Sequence, residues 1–106
     1  MAALSEPDPA FEALAQRYLG VPDVERGTGF GTSPGLRVGG RIFAMLPRDR
    51  LVVKLPAERC AAIVGAGEGA LLTNGRRTMR EWVEVETADP VVWAALADEA
   101  LVFVRG

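Results

Sequence analysis

Apolar residues recur at helical spacing in three stretches of the chain and at strand spacing between them. Phe11, Leu14, Ala15 and Tyr18 follow an Asp8-Pro9 start and stop before Gly20, predicting a helix over residues 9–19. Ala57, Cys60, Ala61 and Val64 follow Pro56 and end at the glycines 65, 67 and 69, predicting a short helix over 56–64. Trp93, Leu96, Ala97, Ala100 and Val104 form one stripe after Asp89-Pro90, predicting a last helix over 90–104. Between these lie strands. Leu36–Val38 meets Arg41–Leu46 across Gly39-Gly40, a two-residue hairpin signal, and Leu51–Leu55 returns after the Pro47–Arg50 turn. Ala70–Leu72 and Glu81–Glu86 give two more strands, and 24–26 a short edge strand. Hairpin links dominate, so the order predicts an α+β fold: one domain over 1–106, an antiparallel sheet with helices mainly on one face. Met1–Pro7 is a polar lead expected to fray.

Side chains alternate across a strand, so parity sorts faces. Ile42, Ala44 and Leu46, with Leu51, Val53, Leu55, Val83 and Val85, form a core face for the helices to cover. The other parity holds Phe43, Met45, Val52, Lys54, Trp82, Glu84 and Glu86. Left uncovered, Phe43, Met45, Val52 and Trp82 would be an apolar patch for a protein partner or a second copy. Covered by the last helix or by residues 21–35, they would be core.

Composition removes most catalytic classes. The 106 residues contain no histidine and one cysteine, Cys60. Triads built on histidine, histidine zinc ligands and intrachain disulfides are therefore absent, and no EF-hand spacing is present. Cys60, in apolar company and without a histidine to activate it, reads as an inert core thiol. Gly27, Gly29 and Gly31 do not make a dinucleotide fingerprint, because Thr32 stands where the third glycine is needed and no helix follows. No cofactor or metal is expected. Without a signal-peptide pattern or a long apolar run, a cytoplasmic protein off the membrane is expected.

The net charge of −2 hides segregation: from Arg37 to Arg80 nine basic residues face three acidic ones, giving +6, and the remainder carries −8. Arg76, Arg77 and Arg80 sit before the strand at 81–86, where a loop would let them reach outward. Either they bind phosphate or carboxylate with their guanidinium forks, or they are solvated surface, with Arg80 pairing Glu84 or another acidic neighbour.

The stretches RVGGRIFAML, LVVKLPAER, GEG, GRRTMREWVEVE and WAALADEALVFV stand in an order that resembles the bacterial MmcQ/YjbR-like family, related to TfoX N-terminal domains. The likeness runs from about Phe30 to Val104 and rests on order and spacing, since none of the stretches is catalytic. It implies a frataxin-like α+β architecture and a DNA-binding label, and it supplies no catalytic residues. The 106 residues hold no counterpart of the separate C-terminal domain of full-length TfoX proteins, so competence regulation is not implied. A pI near 5.1 and the lack of a basic recognition helix argue against sequence-specific DNA binding. Two readings remain: a non-catalytic domain that binds DNA weakly through Arg41, Arg76, Arg77 and Arg80, and a protein-interaction or homodimerisation module using Phe43, Met45, Val52 and Trp82.

Overall fold

Asp8 opens the first helix as predicted, its Oδ1 accepting from the backbone N–H groups of Ala10 and Phe11. In the computed structural model, which describes residues 8–106, this helix is α1 (Pro9–Gln16), and the lead Met1–Pro7 lies outside the described residues. It is shorter than the predicted span because residues 17–19 tighten into i→i+3 turns, with the Tyr18 N–H donating to Ala15 O. There follow β1 (Val24–Thr28), β2 (Pro34–Val38), β3 (Arg41–Met45), β4 (Val52–Lys54), α2 (Ala57–Gly65), β5 (Gly69–Asn74), β6 (Arg77–Val85) and α3 (Pro90–Arg105). The six strands form one antiparallel sheet in the order β1-β2-β3-β4-β6-β5. The Gly39-Gly40 hairpin forms as read, both residues at positive φ (58° and 81°), which glycine alone adopts without strain.

All three helices contribute to one core against one face of the sheet. It contains Phe11 and Leu14 of α1, Cys60 and Ile63 of α2, Trp93 and Leu96 of α3, and Leu36, Leu51, Val53, Leu55, Val83 and Val85 of the sheet and its flanks. The Cα radius of gyration, 13.1 Å, is that of a single packed body of this length. Polar contacts pin the helices at the rim. Asp98 on α3 accepts from Tyr18 Oη at 2.7 Å and from Arg17 Nη2 at 2.5 Å, and the Arg17 hydrogen bond holds its carboxyl below the ordinary 3.8. Arg59 of α2 reaches Glu99 of α3 at 2.9 Å.

The parity reading fails at one strand. A bulge between β2 and β3 moves the pairing from Leu36↔Ala44 to Arg37↔Ile42, so β3 carries one extra residue. That residue is Phe43. Beyond it the faces exchange: Phe43 joins the helix-side core with its ring edge-on to Tyr18 at 5.5 Å, and Ile42 moves to the other face. β4 and β6 keep their predicted parity, with Val52 and Trp82 opposite Val53 and Val83.

The other face has a small core of its own. Met45, Val52 and Trp82 are buried there, flanked by Ile42, Leu72 and Met79. The turn after β1 covers Met45 and Trp82. Phe30 lies edge-on to Trp82 at 4.9 Å, and its N–H donates to Met45 Sδ at 3.4 Å. Gly29 permits this approach, since a Cβ there would stand 2.6 Å from Met45 Cβ. Of the two alternatives for Phe43, Met45, Val52 and Trp82, the covered one holds: Phe43 lies in the main core, Met45, Val52 and Trp82 form the small core of the other face, and Phe30 of the 21–35 stretch lies against Met45 and Trp82.

Candidate nucleic-acid interface

The registers gather the basic residues at one end of the sheet. Arg41 starts β3 beside the Gly39-Gly40 turn, and Lys54 ends β4 opposite Trp82. β6 begins at Arg77, five residues before Trp82, so the β5–β6 hairpin overhangs that same end. Arg77 and Arg80 thus sit within a strand, not in the loop expected for them. Asn74↔Arg77, Thr73↔Thr78 and Leu72↔Met79 satisfy the backbone there, and the overhang leaves both arginines exposed. Arg76 stands in the turn itself beside Gly75 (φ 65°).

Two shallow hollows flank Glu81 and Trp82. One, about 360 Å³, is lined by Arg37, Arg41, Lys54, Glu81, Trp82 and the end of α3. The other, about 330 Å³, is lined by Asn74, Arg77, Thr78, Met79 and Arg80 together with Glu81 and Trp82. The fold therefore joins Arg41 to Arg77 and Arg80 across a shared ridge and leaves Arg76 at the hairpin tip. Lys54, not among the predicted site residues, belongs here too. It lies 4.0 Å from Glu81 and 5.5 Å from the Trp82 ring centroid. Its parity with Trp82 was legible, but the pairing of β4 with β6 was not.

Some of the basic excess is neutralised on folding. Arg50 pairs with Glu86 at 3.1 Å and lies 3.9 Å from Glu84, and Arg59 pairs with Glu99. Glu84 is thus beside Arg50, not paired with Arg80 as one reading had it. Among the described residues Arg41, Arg76, Arg77 and Arg80 make no ion pair. Such an end can attract an extended anion.

Elsewhere, Cys60 is buried, its Sγ 3.6 Å from Leu55 O, and burial pushes its thiol pKa up. That environment disfavours the nucleophilic thiolate. The described residues hold no cluster of three or more acidic or cysteine side chains placed to share a metal ion, and no helix long and apolar enough to cross a membrane. No family model, curated protein or solved structure matches the chain.

Proposed function

We propose that this is a non-catalytic cytoplasmic domain of the MmcQ/YjbR-like kind that holds duplex DNA weakly, by charge and without sequence selection. The observation that carries this reading is the overhanging end of the sheet. Three exposed arginines, Arg41, Arg77 and Arg80, gather there with Arg76 beyond them at the hairpin tip, none in an ion pair among the described residues, while Arg50 and Arg59 of the same basic stretch are neutralised. Guanidinium groups on strands and turns contact phosphates without entering a groove, which positions DNA but reads no bases. The net charge of −2 keeps the affinity low. The frataxin-like architecture that the family resemblance implies belongs to this reading.

A labelled random duplex titrated at two salt concentrations tests it. Each phosphate contact contributes about one unit to the slope of log affinity against log salt. Replacing Arg76 and Arg77 together by Ala is expected to lower that slope by about two units and to weaken binding at low salt about uniformly across sequences. No binding at low salt, or an unchanged slope, would discard the DNA reading.

A further inference from the structure

The two free edges of the sheet differ. β1 presents Val24-Glu25-Arg26-Gly27-Thr28, with Arg26 tied to Glu12 of α1. β5 presents Gly69-Ala70-Leu71-Leu72-Thr73-Asn74, without a charge or a proline. Charged side chains and proline are what keep an edge from pairing with another chain. β1 has charges, and β5 has neither device. Among the described residues the strand order ends at β5.

The open backbone groups of β5 can be assigned. Glu86 N–H donates to Glu68 O at 2.9 Å, and Val85 N–H donates to Leu51 O at 2.8 Å. At this end of β6, even-numbered residues therefore turn their backbone toward β5 and odd-numbered ones toward β4. The register Gly69↔Val85, Ala70↔Glu84 makes Ala70 inward-bonding and Gly69 and Leu71 outward-facing. The register shift between Leu71 and Leu72 puts its extra residues, 80–82, on β6, and beyond it the pair Asn74↔Arg77 that closes the two-residue turn bonds inward, which leaves Thr73 outward.

We propose that β5 is a self-association edge, which takes β5 of a second copy in antiparallel pairing about a two-fold axis through Leu72. The occupant follows from symmetry and charge. An axis normal to the sheet keeps both helix layers on one side and places residues of equal parity opposite each other. With Leu72 opposite Leu72, Leu71 and Thr73 of each copy exchange backbone hydrogen bonds and Ala70 faces Asn74. The ladder ends at Asn74; beyond it, Glu68 in the bend before β5 of one copy and Arg76 in the turn after β5 of the other lie at the same end, so the two-fold brings opposite charges near each other at both ends. Neither residue has an ion pair among the described residues. Leu72, half-buried beside Met79, gains cover from its symmetry mate. A short ladder buries less than the roughly 1,000 Å² of a standing interface, so the dimer is weak and concentration-dependent.

Sedimentation velocity of the full chain without DNA, from micromolar to millimolar, tests this apart from the DNA reading. The wild type is expected to shift toward dimer mass. Thr73→Pro removes an outward N–H that β6 does not use, and should weaken association about tenfold or more. Glu68→Arg and Arg76→Glu should each weaken it, and the two together should restore it. Circular dichroism at low concentration establishes that each variant is folded; if Thr73→Pro fails there, the charge exchange carries the test. A wild type monomeric throughout, a folded Thr73→Pro variant that still dimerises, or a charge exchange without rescue overturns the proposal. So does a dimer that only Val91→Asp, in the groove between α2 and α3, abolishes.

Discussion

The two faces of this sheet bury apolar side chains by different means. On one, three helices cover a continuous core running from Phe11 to Val104, and Phe43, Leu51, Val53, Leu55 and Val83 are sealed from solvent. On the other, Met45, Val52 and Trp82 form a small core, a turn of a few residues covers Met45 and Trp82, and its principal side chain, Phe30, is itself 41% exposed. The helix face draws on contacts from distant parts of the chain, so losing one side chain leaves a cavity its neighbours cannot fill. The turn face depends on one close backbone approach at Gly29. Burial is nearly complete on both, but the second cover can open without unfolding the first.

Phe43→Ala should sharpen that contrast most. Its ring is enclosed between the sheet and Tyr18, and its loss should cost about 3–5 kcal/mol in urea unfolding. A cost below 1 kcal/mol would mean that the bulge at Phe43 is absent and the parity reading was right. Gly29→Ala comes next. The added methyl group meets Met45, and the expected cost is about 1–3 kcal/mol, with the Trp82 fluorescence displaced in a Trp93→Phe background. Unchanged fluorescence would place the turn away from the sheet. The smallest effect belongs to Phe30→Ala, about 1 kcal/mol or less, because the ring is already partly in water. Trp82 should then become accessible to a soluble quencher while global stability barely falls. A loss as large as that of Phe43→Ala would make the two faces a single cooperative core and break the comparison.

The helices were legible because each has a local start, Asp8-Pro9, Pro56 and Asp89-Pro90, and the first two a local stop, Gly20 and the glycines 65, 67 and 69. The Gly39-Gly40 hairpin was legible for the same reason, since two positive-φ residues in a row specify the turn. The site was legible only as residue types. The segregated arginines were visible, but their common location depends on β4 pairing with β6 and on β6 outrunning it.

What the sequence by itself determined is whatever rests on interactions within a few residues: helix spans to within a turn, hairpin links, the antiparallel class and the exclusion of histidine chemistry. Tertiary structure decided the rest. The bulge that exchanged Ile42 and Phe43 arises from a mismatch between two strands, and neither strand alone encodes it. The extension of β6 back to Arg77 required β5 as a partner for Arg77, Thr78 and Met79, with Arg80 in the register shift that follows them. The burial of Met45 and Trp82 required a turn from elsewhere in the chain to fold over them, since alternation assigns a side chain to a face and only the assembled fold supplies what covers that face.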